Sequence, residues 1–291
     1  MRHTADVACA EVFGLGEGPV WDGPRERLLW VDIPAGAVHE GRLDGDRVIV
    51  TAAHRLDRTV GAVVCSATGE LLVAGAKTLL PSGARVIPET ARHRRLNDGA
   101  CDPAGRFLVG SMSLDRTRHG ETLVRLEHDG TLTVLDDDLT LSNGLAWSPD
   151  GTLLYSIDSV PGIVWVRPYD VATGAAGPRR EWLRIGDGVP DGMCADADGH
   201  LWIAIWGAGE VRRFTPDARP TGDVVEVAAP HTSSVAFVGP GLDRLLITTA
   251  TAELGADRLA AYPMSGRLFL VRVGVTGLPV APWAGATPGE S

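Results

Sequence analysis

Hydrophobic residues in this chain occur in short runs separated by Gly-rich turns, and the pattern recurs. Each repeat has an apolar run with a small residue in second place, then a turn, then a second apolar run such as LLWVD or LWIAI. The small residues are Gly18, Gly61, Gly99, Gly144, Gly192 and Ser234, at intervals of 43, 38, 45, 48 and 42 residues. Runs rich in β-branched and aromatic residues between turn signals are typical of β-strands. The pattern therefore predicts a chain of many strands and few helices.

A period of about 40 to 48 residues that contains several short strands is typical of one blade of a β-propeller. Six copies predict an all-β, six-bladed propeller that occupies residues 1–291 as a single domain. We expect the stretch 266–273 to supply outer strands to the last blade, and residues 10–14 to complete a blade and close the ring. The alternative fold is a β-sandwich of irregular strands.

The residue directly before each small residue occupies an equivalent place in every blade. These residues are Glu17, Val60, Asp98, Asn143, Asp191 and Ser233. If the innermost strand of each blade begins here, these side chains face a central channel at the same height. Three carboxylates and one amide would then converge, and buried like charges are unfavourable without compensation. A cation would supply that compensation, whereas the competing interpretation is that Asp and Asn before Gly are simply turn formers.

The amide at this position is notable because the chain has only two asparagines, Asn97 and Asn143, and no glutamine. An amide oxygen can bind a cation without adding another negative charge to the site. A ligand set made only of oxygens favours Ca²⁺, Mg²⁺ or Mn²⁺ over a structural zinc site, which prefers Cys and His.

Composition and charge narrow the classes of partner and compartment. The formal net charge of −10 argues against a nucleic-acid or anionic-membrane partner, because either would call for a basic patch. No apolar run approaches the roughly 20 residues of a membrane span, and the first residues do not resemble a signal peptide, so we expect a cytoplasmic protein. The four cysteines are widely spaced and form no CxxC pair, which predicts free, mostly buried thiols.

Four stretches, LGEGPVWD, RLNDGACDPAGRFLVGSM, LSNGLAWSPDG and VPDGMCADADGHLWIA, resemble the motifs of the SMP-30/gluconolactonase family, which includes regucalcin. The resemblance runs from about residue 10 to residue 273, with the motifs in order. It implies a six-bladed propeller with one divalent cation in the central channel, bound by Glu17, Asn143 and Asp191. The expected ion is Ca²⁺, with Zn²⁺, Mg²⁺ and Mn²⁺ as alternatives, and the role of Asp98 stays open.

Members of this family typically hydrolyse sugar lactones, and the resemblance implies roles for several residues. Asp191 would take the proton from the attacking water as well as contact the cation. Arg95 and Asn97 would hold substrate oxygens, and in a strand their side chains project to the same side because side chains alternate. Asp115 matches, by spacing, a position where some relatives carry Glu on a loop that contacts the substrate.

These observations predict a metal-dependent hydrolase that opens a sugar lactone such as gluconolactone to the aldonic acid. The alternatives are another metal-dependent ester or phosphotriester hydrolase, and a calcium-binding or interaction propeller without turnover. The chain has no GxSxG stretch, which argues against a common type of serine esterase. Asp32 and Asp158, at matching strand ends, are expected to be structural hydrogen-bonding residues, and His231 is a candidate pocket-lining residue.

Overall fold

Short strands joined by tight turns make up most of the chain. The computed structural model describes residues 1–56, 59–75, 78–80, 85–86, 94–114 and 119–285. In chain order the strands are β1 (Arg2–Thr4), β2 (Asp6–Val7), β3 (Gly16–Asp22), β4 (Arg27–Asp32), β5 (Ala37–Asp44), β6 (Arg47–Arg55), β7 (Val60–Cys65), β8 (Leu71–Gly75), β9 (Thr78–Leu80), β10 (Arg85–Val86), β11 (Arg94–Cys101), β12 (Phe107–Ser113), β13 (Glu121–Leu126), β14 (Leu132–Leu139), β15 (Ser142–Trp147), β16 (Leu153–Asp158), β17 (Ile163–Pro168), β18 (Arg180–Arg184), β19 (Val189–Ala195), β20 (Leu201–Trp206), β21 (Glu210–Phe214), β22 (Pro220–Glu226), β23 (Thr232–Val238), β24 (Arg244–Thr249) and β25 (Phe269–Val271). A 3₁₀ turn, Gly23–Arg25, and the six-residue helix α1, Ala256–Ala261, are the helical elements in the described residues.

Across the described residues the strands form six sheets, one for each sequence repeat. Sheets 1 to 4 take consecutive sets of four strands: β3–β6, β7–β10, β11–β14 and β15–β18. Sheet 5 consists of β19–β22 with β1 at its outer edge, and sheet 6 consists of β23–β25 with β2 at its outer edge. The innermost strands β3, β7, β11, β15, β19 and β23 each contact the next, and β23 contacts β3, so the sheets form a closed ring.

The hydrophobic core lies between neighbouring sheets. Each of the six clusters of buried side chains in the described residues joins two adjacent sheets. Trp30 of sheet 1, for example, packs in one cluster with Leu246 of sheet 6, and Trp202 of sheet 5 packs with Leu245 of sheet 6. Each sheet is covered on both faces by its neighbours, which explains why the apolar runs recur in every repeat. The all-β propeller prediction is confirmed, and the β-sandwich alternative is wrong.

The ring is closed by the first residues of the chain. β1 pairs in parallel with β22, and β2 pairs antiparallel with β25, so residues 2–7 complete the outer edges of sheets 5 and 6. The prediction that residues 10–14 complete a blade was therefore wrong, since residues 2–7 do so instead. Residues 2–7 were missed because this short polar segment carries no alternating pattern that marks a strand. The prediction that residues 266–273 extend the last sheet is confirmed by β25.

Every innermost strand changes register at its repeat position. The shifts fall between Glu17 and Val20, Val60 and Ala62, Leu96 and Gly99, Asn143 and Leu145, Pro190 and Met193, and Thr232 and Ser234. Such bulges bend a strand and re-aim a side chain, and they are common beside active sites. In each sheet, a bulge thus accompanies the residue that the sequence places at the channel.

Close contact between innermost strands explains the glycines of the repeat. A Cβ on Gly61 would lie 2.5 Å from the carbonyl oxygen of Asn97 on the next innermost strand. A Cβ on Gly144 would lie 2.6 Å from the carbonyl oxygen of Asp191. Both distances are too short for a Cβ atom, so only glycine allows neighbouring innermost strands to approach each other this closely.

Two further features concern the whole chain. All four cysteines lie in the described residues and are free, with Cys9, Cys65 and Cys101 buried, as predicted. Among the described helical elements, none has the length and apolar character that crossing a membrane requires.

Gly144→Ala should destabilise the protein by about 1–3 kcal/mol, because the added methyl group overpacks the contact between β15 and β19. Urea unfolding followed by tryptophan fluorescence would measure the loss. Gly186→Ala is the matched control, since a Cβ there meets nothing within 4 Å. Equal stability of the two variants would contradict this account of the repeat.

Candidate functional site

Four of the six repeat positions bring polar side chains to the centre of the ring. Glu17, Asn143 and Asp191 are buried, with 7%, 5% and 6% of their surface exposed, and Asp98 is half-buried. Because they come from β3, β15, β19 and β11, four different sheets meet here. The other two positions, Val60 and Ser233, do not offer a side-chain oxygen that is free to bind a cation.

Those two positions serve packing. Val60 is fully buried in the cluster between sheets 1 and 2. Ser233 donates its hydroxyl proton to the carbonyl oxygen of Gly16, 2.5 Å away, and lies 2.8 Å from the hydroxyl of Thr248. The Ser233 hydroxyl therefore joins sheet 6 to sheet 1 where the ring closes.

The pKa values of the three carboxylates are all raised. Burial raises the pKa of Glu17 well above its ordinary value, and the charges of Asp191 and Asp98 raise it further. Burial likewise raises the pKa of Asp191, and Asp98 adds to the shift. Burial raises the pKa of Asp98 to about 6, with a hydrogen bond from the Gly99 amide acting in the opposite direction. Burial is thus the largest cause of all three shifts, and repulsion by neighbouring carboxylates adds to those of Glu17 and Asp191.

Arg95 supplies positive charge beside these carboxylates. Burial lowers the pKa of Arg95 to about 10, while Glu17 and Asp191 favour its charged form. Its Nη1 donates to Asn97 Oδ1 at 2.6 Å and to the carbonyl oxygen of Leu96 at 3.1 Å. Arg95 is therefore a half-buried member of the site, and it lies together with Asn97 as the alternation of side chains predicts.

The two asparagines of the chain contact each other. Asn97 Nδ2 donates to Asn143 Oδ1 at 3.2 Å and to the carbonyl oxygen of Ser142 at 2.9 Å. Asn143 Nδ2 in turn donates to Ser159 Oγ at 3.0 Å. These bonds turn the amide oxygen of Asn143 toward Asn97 and its NH₂ group toward Ser159. The Asn143 side chain also hydrogen-bonds the Asp191 carboxylate, which lowers the pKa of Asp191.

One atom of the site lacks a partner. Asp191 Oδ1 is buried and accepts no hydrogen bond from any residue that the structure describes. A buried carboxylate oxygen without a donor is costly, because its hydration is lost and nothing replaces it. The other potential ligand atoms, from the two further carboxylates and the amide of Asn143, are also oxygens. This donor set suits a divalent cation such as Ca²⁺, so the residues present fit the implied group.

Below these side chains, the channel continues as a cavity of about 470 Å³. Its wall takes residues from all six innermost strands, including Asp98, Trp147 and Met193, and its far end is lined by residues 278–282. The C-terminal segment is held there by backbone hydrogen bonds, such as Trp283 N–H to the carbonyl oxygen of Cys65 at 2.8 Å. The cavity therefore extends along the axis of the ring, away from Arg95.

Asp32 and Asp158 act as predicted, as structural hydrogen-bond acceptors. Asp32 accepts the backbone N–H groups of Gly14 and Leu15 at 3.0 and 3.1 Å. Asp158 accepts those of Thr140 and Leu141 at matching positions, with distances of 2.9 to 3.2 Å. Each aspartate fixes the segment that enters the innermost strand of its own sheet.

His231 stacks on Trp206, with ring centroids 4.0 Å apart and planes 15° from parallel. Its Nδ1 donates to the carbonyl oxygen of Ala252 at 3.0 Å, since a carbonyl only accepts. Burial lowers the pKa of His231, and the Glu253 carboxylate opposes that shift. Trp206 pairs with Val189, two residues before Asp191, so the stacked pair lies near the start of β19. Asp115, the remaining predicted site residue, lies outside the described residues.

A second group of potential ligands, Asp196, Asp198 and His200, lies at the other end of β19. The fully buried Asp196 already accepts backbone N–H groups from Asp198 and His200, at 3.1 and 2.9 Å. It also accepts Trp202 Nε1 at 3.1 Å and Arg213 Nε at 2.9 Å. Because its oxygens are occupied and its charge is paired with Arg213, this group shapes a turn and does not resemble a metal site.

A family comparison matches the sequence over residues 15–251 to the SMP-30/Gluconolactonase/LRE-like region. This chain belongs to that family. Among relatives of the SMP-30/gluconolactonase family, a 6-deoxy-6-sulfogluconolactonase of Pseudomonas putida is 33% identical over 98% of this chain and 100% of its own length. A pentonolactonase, XacC, of Haloferax volcanii is 34% identical over 96% of each chain.

Solved structures of the SMP-30/gluconolactonase family agree with the fold. A structure described as a calcium-binding protein, regucalcin, of Agrobacterium tumefaciens superposes with a TM-score of 0.88. It is 27% identical in sequence, and the match covers 97% of this chain and 99% of that one. The sequence resemblance to this family is thus confirmed.

In the metal-free protein, Asp98→Asn should stabilise the fold relative to wild type, and this difference should grow as the pH rises. The raised pKa of Asp98 means that the stability associated with its protonated form is fully present below the ordinary value of 3.8 and is lost as the pH rises through about 6. The variant mimics the protonated carboxyl, so its melting temperature in chelator should exceed that of wild type by about 2–4 °C at pH 7.5 and by less at pH 4.5. Asp6→Asn, an exposed change far from the channel, controls for the lost charge. A difference that is constant across this pH range would contradict the shift.

Proposed function

We propose that this protein is a metal-dependent hydrolase that opens a sugar lactone, such as gluconolactone, to the aldonic acid. In this proposal the chain forms a single six-bladed domain whose central channel holds one divalent cation, with Ca²⁺ as the expected ion. Glu17, Asn143 and Asp191 are the proposed ligands. The observation that carries the proposal is the buried Oδ1 of Asp191, which has no hydrogen-bond partner among the described residues and lies within a ring of oxygen atoms that can bind a cation. The names of the two lactonase relatives support the substrate class.

The proposed chemistry divides between the cation and the chain. When bound, the cation would supply Lewis-acid polarisation of the lactone carbonyl. Asp191 would accept a proton from the attacking water, and burial raises its pKa toward the range in which a carboxylate is an effective base near neutral pH. The cation would offset part of that shift, because a positive charge favours the ionised carboxylate.

Arg95 and Asn97 are the proposed substrate-binding residues. A guanidinium carries five N–H donors, and toward the described residues Arg95 donates hydrogen bonds only from Nη1, which leaves further donors for lactone oxygens. Asn97 Nδ2 already contacts two acceptors, and of these bonds the one to Asn143 Oδ1 at 3.2 Å is the longer. Asn97 would therefore exchange that bond for one to the substrate when Asn143 Oδ1 binds the cation. Asp115 is a proposed further contact.

The test of this function is a pH-indicator assay with a panel of hexono- and pentonolactones. We expect metal-loaded protein to accelerate at least one of them, chelator to abolish the acceleration, and added Ca²⁺, Mn²⁺ or Zn²⁺ to restore it. Spontaneous hydrolysis is subtracted with heat-denatured protein. If metal-loaded protein hydrolyses none of the panel, the proposal fails.

A calcium-binding role without turnover is the second candidate, favoured by the description of the Agrobacterium tumefaciens relative. Pure metal binding does not require the Arg95–Asn97 pair beside the carboxylates. Tight binding of Ca²⁺ without turnover of any lactone or other ester would favour this second candidate.

Asp191→Asn should lower kcat by at least about 100-fold, because the amide keeps the shape of the side chain but cannot act as a base. Initial rates on the best lactone of the panel, at saturating metal, would measure the effect. Asp187→Asn, an exposed residue on the loop before β19, is the matched control. A variant at Asp191 with near-normal kcat would show that another group accepts the proton.

A further inference from the structure

Ser159 connects two of the proposed cation ligands, although it contacts neither the channel nor bulk water. It follows β16 directly and is 2% exposed. Its Oγ lies 3.0 Å from Asn143 Nδ2 and 2.7 Å from the carbonyl oxygen of Pro190, the residue before Asp191. Ser159 of sheet 4 therefore joins the side chain of one ligand to the backbone beside another ligand on sheet 5.

The backbone of Ser159 is fixed on both sides. Its N–H donates to the carbonyl oxygen of Leu141 at 3.0 Å, and its carbonyl accepts the N–H of Gly162 at 3.1 Å. The hydroxyl therefore projects from a tight turn that is tied to the strand carrying Asn143. A side chain held in this way can orient a neighbouring group with little loss of entropy, because its own position is already set.

The direction of these hydrogen bonds follows from the chemistry of the groups. A hydroxyl has one proton, and the carbonyl of Pro190 can only accept, so Ser159 must donate its proton there. Toward Asn143, Ser159 then presents only lone pairs. Asn143 must turn its NH₂ group to Ser159, and its Oδ1 consequently lies on the side of Asn97.

We propose that Ser159 is a positioning residue that sets which end of the Asn143 amide faces the cation. With the oxygen inward, Asn143 is a ligand, whereas with the NH₂ group inward it would oppose a cation. This inference rests on the proposed cation site and goes beyond it, because it assigns the orientation of a neutral ligand to a residue from outside the channel. Removing such an indirect partner of a metal ligand typically lowers metal affinity by about 10- to 100-fold.

The first test is isothermal titration calorimetry of the full chain with Ca²⁺ and with Mn²⁺. Ser159→Ala should weaken binding by about 10- to 100-fold. Ser159→Thr, which keeps a hydroxyl, should recover most of the lost affinity. Ser156→Ala is the matched control, because Ser156 is a buried serine of the adjoining strand β16 whose Oγ bonds to no described residue. It should bind the ions as wild type does.

The second test separates orientation from general structural support. In an Asn143→Asp background both side-chain atoms at the tip are oxygens, so either rotation presents a ligand. Adding Ser159→Ala to this background should change the dissociation constant by less than about threefold, since coupled residues deviate from additivity. An equal loss in both backgrounds would overturn the positioning role and leave a structural one.

The outcomes distinguish this inference from the proposed function. If wild type binds neither ion, the proposed cation site fails and this inference fails with it. If wild type binds an ion and Ser159→Ala binds it equally well, only the role of Ser159 is overturned.

Discussion

Repulsion among three carboxylates that are held away from water is the constraint on which the rest of this structure depends. Glu17, Asp98 and Asp191 each have a raised pKa, and burial is the largest cause in every case. The charge of Arg95 opposes the shifts of Glu17 and Asp191 but does not cancel them. Such an arrangement is unfavourable for folding, and the proposed cation would offset the repulsion.

The scaffold tolerates this repulsion because it is rigid and closed. Six hydrophobic interfaces between neighbouring sheets hold the ring together, and the N-terminal strands β1 and β2 complete its last two sheets. Close approach of the innermost strands at Gly61 and Gly144 brings donors from different sheets to one place. The bulges at the repeat positions then direct individual side chains inward. Stability thus resides between the sheets, and the chemistry resides at the axis.

Much of this arrangement follows from the sequence, because it is repeated. The spacing of the glycines predicts the propeller, and the residues before them include Glu17, Asp98, Asn143 and Asp191, whose side chains meet at its centre. The pair Arg95 and Asn97 is also accessible from the sequence, since alternation along a strand is a local property.

The parts that could not be predicted depend on contacts between distant segments. β1 pairs with β22, which lies more than 200 residues away, and the short polar sequence of β1 does not indicate which strand it pairs with. Ser159 lies 31 residues from Pro190 in sequence and belongs to an ordinary turn, so its link to the site appears only in three dimensions. The bulges likewise are properties of paired strands, because an extra residue on one strand is defined only against its partner. Val60 and Ser233 share the repeat position but are not site donors, because their side chains are used for packing and ring closure.

The most direct measurement of the central claim is anomalous diffraction from a crystal grown with Mn²⁺. The account predicts a single strong anomalous peak at the axis, within bonding distance of Glu17, Asn143 and Asp191. A peak at the turn of Asp196 and His200, or none in the channel of a fully Mn²⁺-loaded crystal, would contradict it.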